Sequence, residues 1–347
     1  MESLWFCLAT VMIAVYVVLD GFDIGTGIVH LLVGRTEVER QNTLRAIGPV
    51  RDGNEVWLIA GGGTLFFAFP ALYASSFSGF YLPLMIVLWL LILRGVSIEF
   101  RNHVESLLWR PLWDVVFAWS SLLLAVFYGA ALGNVVRGVP LDASGYFFLP
   151  LWSDFRVSSH SGILDWYTIM TGIAALLALT LHGALWVRLK SADPVRERAG
   201  SVARRAWWGV VIMTVALTAA SFAVQPHLRE RFASEPWGFV FPAVAMVGLL
   251  GIRSSQSAAT ELRAFLFSCA YLAGMLTAAA FGVYPYVLPA STEAKFGLTI
   301  HNAASDPYGL GIGLAWWIPG VFLAAGYAVY TYRHFAGKVR SASEMIQ

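Results

Sequence analysis

Long apolar runs alternate with short polar segments along the whole chain. A hydrocarbon core of about 30 Å needs roughly 20 apolar residues in a helix. Nine runs meet or nearly meet this length, and the seventh is the shortest: about 4–33, 54–74, 79–100, 113–134, 162–188, 206–225, 237–252, 262–286 and 311–333. Such long, uniformly apolar runs are not typical of barrel strands. The pattern predicts an all-α polytopic membrane protein, a single integral membrane domain over 1–347 with about nine transmembrane helices.

Composition also favours a membrane protein over a soluble one. Of the 347 residues, 58% are apolar and 13% are charged, whereas a soluble domain usually has about 25% charged residues. Aromatic residues at the ends of apolar runs fit a membrane-interface belt. Several of the 14 Trp lie there: Trp5, Trp109, Trp113, Trp207, Trp208, Trp237, Trp316 and Trp317. The net charge of +2 gives no support to a nucleic-acid partner, and two cysteines suggest neither a disulfide framework nor a metal site.

The distribution of Lys and Arg predicts how the helices cross the membrane. With nine spans and the N-terminus outside, 18 of the 23 basic residues fall on the inner side. The positive-inside rule therefore predicts an outside N-terminus and an inside C-terminus. The start of the chain lacks a basic region and a cleavage site, so we expect the first run to be a retained helix.

The chain contains a weak internal echo and two longer outer connections. Asp20-Gly21 near the end of the first run resembles His182-Gly183 near the end of the fifth. This suggests two four-helix units, 1–135 and 162–286, with 311–333 as an additional helix. The outer connections, about 135–161 and 287–310, are places for short interfacial helices or for contact with a partner.

Two acidic residues lie inside the first run. An ionisable side chain within a membrane is costly, so it faces protein or water and suggests a functional site. Asp20 and Asp23 are three residues apart and share one helix face. Counting about 1.5 Å per residue from Leu4 puts Asp20 about 24 Å down, in the cytoplasmic third. Gly25 and nearby glycines would let another helix approach closely.

The next three runs bring further charged residues to the same depth. The second run begins with Asp52 and Glu55, the third contributes Arg94 and Glu99, and the fourth begins with Asp114. Closely spaced carboxylates with water can relay protons, and Asp52 would be the first residue reached from the cytoplasm. Alternatively, these residues are ion pairs that only hold four helices together, with Arg94 at the centre. The residues alone leave both interpretations open.

No cofactor site is evident in the sequence. Haem b usually needs facing axial ligands such as His/His or His/Met, and His182 has no obvious partner of this kind. A satisfied interior histidine is therefore the favoured interpretation. There is no haem-attachment motif, metal-ligand cluster or nucleotide-binding loop, so we assign no catalytic residue and no metal ligand to this chain.

Several motifs, spread over the whole chain, carry a resemblance to a known family. They are Leu19-Asp20-Gly21-Phe22-Asp23, Asp52-Gly53-Asn54-Glu55-Val56-Trp57, Phe69-Pro70-Ala71-Leu72-Tyr73, Phe77-Ser78-Gly79-Phe80-Tyr81, Gly138-Val139-Pro140, Thr180-Leu181-His182-Gly183, Tyr284-Pro285-Tyr286-Val287 and Leu298-Thr299-Ile300-His301-Asn302. In sequence and in order they resemble subunit II of the cytochrome bd-type quinol oxidases.

The resemblance implies a heterodimer in a bacterial or archaeal cytoplasmic membrane. The partner, subunit I, would hold haem b, haem d and the quinol site, where quinol oxidation is coupled to reduction of dioxygen to water. Subunit II would carry no haem and stabilise the partner, and in this family it can hold a structural quinone. In some members it contributes part of a proton path, which here would have Asp52 first and Asp20 and Asp23 deeper. Small accessory subunits and lipid are further partners compatible with the resemblance.

One position departs from the family pattern. The family usually has Trp before the Asp-Gly-Asn motif, and this chain has Arg51. A guanidinium beside Asp52 should favour the charged carboxylate. That would either hold a proton too weakly for an efficient relay or replace the aromatic residue by an ion pair. The departure leaves open a divergent complex with other electron donors or acceptors.

Two other functions are compatible with some of these features. A secondary transporter also has glycine-rich helices and intramembrane acids. However, the polar residues here gather at one leaflet, and no Gly/Pro-broken helix pair faces a central site. A haem-bearing cytochrome b-like subunit is the third interpretation, and a visible spectrum of the isolated chain would separate it from the first.

Overall fold

The computed structural model describes residues 1–104, 106–159, 161–255 and 257–339, which form a helical bundle. The helices are α1 (Glu2–Val33), α2 (Glu37–Arg45), α3 (Gly48–Ala68), α4 (Pro70–Gly79), α5 (Tyr81–Phe100), α6 (Trp109–Arg137), α7 (Trp166–Lys190), α8 (Val195–Val224), α9 (Pro226–Ser234), α10 (Val240–Ser254), α11 (Glu261–Val283) and α12 (Pro307–His334). Strands β1 (Tyr286–Leu288) and β2 (Leu298–Thr299) pair antiparallel. Short 3-10 turns cover Pro236–Phe239, Ala258–Thr260 and Ala294–Phe296.

The prediction of about nine spans agrees with the helices of the described ranges. Eight are long and apolar enough to cross a membrane, and the bent pair α3–α4 brings the number to nine if it is one span. The prediction of an all-α polytopic membrane fold is confirmed. The division into two four-helix units stays a prediction.

The second predicted span, 54–74, was wrong in its bounds. The helix begins earlier, at Gly48, and ends at Ala68, after which α4 leaves at a bend of 116°. Proline has no N–H to donate and disfavours helical geometry in the residue before it. Phe69, which precedes Pro70, accordingly has φ −133° and ψ 65°.

The outer connections contain less helix than expected. Between α6 and α7 the described residues form no helix, and between α11 and α12 they form the β1–β2 pair and one 3-10 turn. Of the two roles expected for these connections, short interfacial helices are therefore absent from their described residues apart from that single turn, and contact with a partner stays a prediction.

Close approach of α1 and α7 depends on glycine. A Cβ built on Gly25 would lie 2.7 Å from the Cα of Gly183, closer than such atoms are found in proteins. The close approach expected from the α1 glycines is thus confirmed. Around Gly62 and Gly63, by contrast, an added Cβ would meet nothing within 4 Å, so these two glycines do not mark close packing within this chain.

One end of the bundle contains the C-termini of α1 and α5 and the N-termini of α3 and α6. We call it the basic end. Helix α2 lies across this end. Its first turn has a capping box between Thr36 and Glu39. Arg198 at the start of α8 donates a hydrogen bond to Glu39. This bond, with help from backbone N–H groups, lowers the pKa of the Glu39 carboxyl from 4.5 to about 2.

Glu39→Gln is expected to lower the stability of the purified protein by about 1 kcal/mol or less at neutral pH, as is usual for a partly exposed ion pair. The folded-state pKa lies below the ordinary value of 4.5. The contribution of the Glu39 ion pair to the free energy of unfolding is therefore complete above about pH 4.5 and is lost as the pH falls toward 2. Unfolding temperatures of the wild type and the variant should converge below pH 4.5; a constant difference at all pH values would contradict this assignment.

Candidate functional site

The most buried part of the charged cluster is a pair between α1 and α5. Arg94 Nη1 donates to Asp20 Oδ2 at 3.0 Å, and Nη2 donates to Asp20 Oδ1. Both side chains are fully buried. Glu55 Oε1 lies 3.4 Å from Arg94 Nη1, so Arg94 contacts two of the predicted carboxylates. A buried guanidinium persists only when it is paired and well hydrogen-bonded, and this two-bond geometry provides that pairing.

Asp23 lies beside this pair but makes different contacts. Its Oδ2 accepts a hydrogen bond from Asn54 Nδ2 at 2.8 Å, and Asn54 Oδ1 accepts one from Tyr332 Oη at 2.8 Å. Asp23 Oδ1 is buried and has no hydrogen-bond partner within the described ranges. Asn54 belongs to the Asp-Gly-Asn motif, so the sequence offered a signal for it. Tyr332 comes from α12, and no sequence signal placed it at this site.

Arg51 joins two exposed carboxylates at the edge of the cluster. Its Nη2 donates to Asp52 Oδ1 and to Glu99 Oε1, each at 2.9 Å. The Asp52 side chain is 83% exposed and the Glu99 side chain 64%, whereas Arg51 itself is mostly buried. Glu99 therefore pairs with Arg51 and not with Arg94. Arg51 stands where the family usually has Trp, and one expected consequence was an ion pair in place of the aromatic residue. The structure contains that ion pair.

Asp114 belongs to a second group and not to the Arg94 cluster. Its Oδ1 accepts from Arg101 Nε at 2.6 Å and is 2.9 Å from His30 Nε2, and its Oδ2 accepts from Arg40 Nη1 at 3.3 Å. Arg101 also donates to Glu37 at 3.0 Å. The sequence placed all these acids at one depth, whereas the structure divides them. His30, Arg101 and Arg40 were missed as partners of Asp114.

His182 has both ring nitrogens in hydrogen bonds. Nδ1 lies 2.7 Å from Ser268 Oγ, and Nε2 lies 2.9 Å from the Val18 carbonyl oxygen. The ring also stacks on Phe265. Since neither nitrogen is left for an iron atom, His182 is a satisfied interior histidine. In the part of the chain that the structure describes, no group of three His, Cys, Asp or Glu could hold a metal ion.

An aromatic groove of about 720 Å³ lies between α1, α3 and α12, far along α1 from the charged cluster. Aromatic rings and small residues line it, and this suits an extended apolar chain more than a polar molecule. The residues that line it are Trp5, Ala60, Gly63, Thr64, Phe67, Tyr308, Gly309, Ile312, Gly313, Trp316 and Trp317.

The chain is similar over nearly its whole length to known oxidase subunits. The family model for cytochrome bd terminal oxidase subunit II matches residues 1–335. The chain is 30% identical to the probable cytochrome oxidase subunit 2 of Haemophilus influenzae, over 98% of this chain and 95% of that one. It is 32% identical to cytochrome bd ubiquinol oxidase subunit 2 of Bacillus subtilis, over 89% and 88%.

A solved structure has the same fold. The bd oxidase from Geobacillus thermodenitrificans contains a chain that matches with a TM-score of 0.75 and 16% identity, over 96% of this chain and 98% of that one. At this identity the likeness shows the fold alone.

Proposed function

This chain belongs to the family of cytochrome bd terminal oxidase subunit II, and on that premise we propose that its acidic cluster carries protons toward the oxygen-reducing site of the complex. As subunit II it is one part of a bd-type quinol oxidase, an oxidoreductase complex that also contains a subunit I. It is a multi-span protein of the bacterial cytoplasmic membrane. The transporter alternative finds no support in these comparisons.

The proposed direction of transfer follows from the charge distribution. The basic end carries most of the Lys and Arg, so it faces the cytoplasm under the positive-inside rule. In this orientation Asp52 meets cytoplasmic water, and Asp20 and Asp23 lie deeper in the membrane. Haem b and haem d would belong to subunit I, where oxygen is reduced, and protons leaving this cluster would pass to that partner.

The observation that carries the proposal is a stepwise fall in the exposure of three carboxylates. Asp52 is 83% exposed, Glu55 is 36% exposed, and Asp23, beside the Asp20–Arg94 pair, is fully buried. Asp52 and Glu55 are three residues apart on α3 and therefore lie on one helix face. A purely structural set of ion pairs does not need an exposed acid leading into a buried one.

The contacts also indicate which groups take up a proton. Asp20 is committed to Arg94 by two hydrogen bonds. Glu55 has one longer contact with Arg94, and Asp23 keeps Oδ1 without a partner among the residues described. Glu55 and Asp23 are therefore the acids freest to accept and release a proton, and Asp20 holds Arg94 in place between them.

Asp52→Asn in the assembled complex is expected to slow quinol oxidation about tenfold, which corresponds to about 1.4 kcal/mol in barrier height. The amide removes the first proton acceptor but keeps the size of the side chain. Haem content should not change, because Asp52 is exposed and packs against little. Oxygen consumption and the reduced-minus-oxidised spectrum measure the two quantities.

Glu293→Gln is the matched control for Asp52→Asn. Glu293 is also an exposed acid paired with a nearby base, Lys295, but it lies in the β1–β2 connection. It should leave turnover unchanged. Full turnover in Asp52→Asn would reduce Asp52 to a structural residue, and loss of haem in that variant would show that it acts on assembly.

The aromatic groove is our candidate site for a structural quinone. Its aromatic and glycine lining fits an isoprenoid tail, and Trp5 is fixed by a hydrogen bond from its indole nitrogen to the Leu310 carbonyl. A bound quinone would supply no chemistry to the acidic cluster from this position. Extraction of the purified complex, followed by quinone analysis with and without Gly313→Leu, tests the assignment.

A further inference from the structure

Three polar residues of α1 form a buried line toward the basic end. Asp23, Thr26 and His30 are spaced by three and four residues, so they lie on one face of the helix. All three are fully buried. Asp23 Oδ1, Thr26 Oγ1 and His30 Nδ1 each lack a hydrogen-bond partner in the described ranges.

A fourth unpartnered atom faces this line from α6. Ser121 is fully buried and its Oγ has no hydrogen-bond partner among the residues described. It lies against Gly27, where an added Cβ would meet Ser121 Oγ before any other atom. The neighbouring Ser120 differs, because its Oγ donates to the Val116 carbonyl at 2.7 Å. Of these two adjacent serines, only Ser121, which lies against α1, has a buried hydroxyl without a partner among the residues described.

Buried polar atoms in folded proteins are almost always bonded to protein or to ordered water. A buried group left without any partner costs about 1–3 kcal/mol. Four such atoms on facing sides of α1 and α6 can share the same bridging molecules, since an internal water typically makes about three hydrogen bonds. Water is the ligand that fits, because the four groups include an acceptor, two hydroxyls and an imidazole nitrogen.

We propose that Asp23, Thr26, Ser121 and His30 line a hydrated seam, whose file of ordered water joins the acidic cluster to the Asp114 group. His30 lies at the end of the seam, and its two ring nitrogens have different roles. Nε2 is bonded to Asp114, whose carboxylate is also held by Arg40 and Arg101. Nδ1 is the nitrogen left for the water file.

The seam allows His30 to share the proton of Asp23. A proton leaves the Asp23 carboxyl, the water file passes it on, and the free lone pair of His30 Nδ1 accepts it. Asp23 becomes a carboxylate, His30 becomes an imidazolium with Nε2 still donating to Asp114, and the reverse transfer restores both. This step rests on the proposed function, whereas the water file itself does not.

Thr26→Val tests the seam through stability, with opposite signs for the two cases. If the seam is hydrated, valine removes a hydrogen-bonding group from the water file, and the unfolding temperature of the purified complex should fall. If the seam is dry, valine replaces an unsatisfied polar group, and the temperature should rise. The second measurement is a density map of the assembled complex at a resolution that shows ordered water. Water bonded to Thr26 Oγ1 and Ser121 Oγ supports the seam, and a seam without water overturns it.

Turnover tests the sharing of the proton. Thr26→Val and Ser121→Ala should each slow quinol oxidation about fivefold, the factor that corresponds to roughly one hydrogen bond. Ser120→Ala is the matched control and should not slow it. Full turnover in both seam variants would overturn proton sharing. Full turnover in Asp52→Asn would contradict the proposed function separately. The seam would still be tested by the unfolding temperature of Thr26→Val and by the density map.

Discussion

Replacing Arg94 with leucine is expected to prevent accumulation of the assembled complex. The substitution leaves Asp20 fully buried without its two hydrogen bonds. Removing one partner of a buried pair destabilises a protein by about 3–5 kcal/mol. That is a large part of a total stability of about 5–15 kcal/mol. The yield of complex after gentle detergent purification, with its haem bands, measures the effect.

The double variant Asp20→Leu/Arg94→Leu distinguishes a lost charge pair from lost packing. Replacing both members of a buried pair by apolar residues is often neutral, so the double variant should recover much of the yield. Glu55 then loses its contact with Arg94, but it is one-third exposed and can turn to water. Normal yield of Arg94→Leu, or no recovery in the double variant, would contradict a stabilising role for the pair.

The fold was predictable where helix length and charge placement decide it. Apolar runs gave the helices, since each must satisfy its own backbone groups in lipid. The bend at Phe69 was missed although Pro70 stood in the sequence, because the apolar run continues unbroken through it. A hydropathy pattern records where a segment is apolar, and it does not record the direction in which the backbone proceeds.

The site was predictable in depth but not in pairing. Counting residues along α1, α3 and α5 brought Asp20, Glu55 and Arg94 to one level, and these three are in contact. The same count placed Asp114 with them, but depth alone does not give the angle around a helix. Asp114 faces His30 and Arg101 instead, and only packing geometry could separate the two groups.

The polar atoms that line the seam could not be predicted from the sequence either. A sequence can mark Thr26 and Ser121 as polar, but small hydroxyls within membrane helices usually bond to their own backbone. Ser120 does so and Ser121 does not. Ser121 Oγ instead packs against Gly27, where an added Cβ would collide with it. Such a relation between α1 and α6 is visible only in three dimensions.

Gly25→Ala is expected to destabilise the bundle strongly. The added methyl group would collide with the backbone of α7 at Leu179 and Gly183, and backbone cannot move aside as a flexible side chain does. Inserting one methylene into a well-packed core usually costs about 1–3 kcal/mol, and a contact with backbone should lie at or above that range. The unfolding temperature and the yield of complex should both fall.

Gly62→Ala is the control, and its effect should have the opposite sign. An added Cβ at Gly62 meets nothing within 4 Å in this chain, and alanine is favoured over glycine inside a helix by about 1 kcal/mol. The variant should therefore be as stable as the wild type or more so. If both variants lost stability equally, helix propensity and crowding in this chain could not explain it. Gly62 would then contact the partner subunit, and the exposed side of α3 would form part of the interface with subunit I.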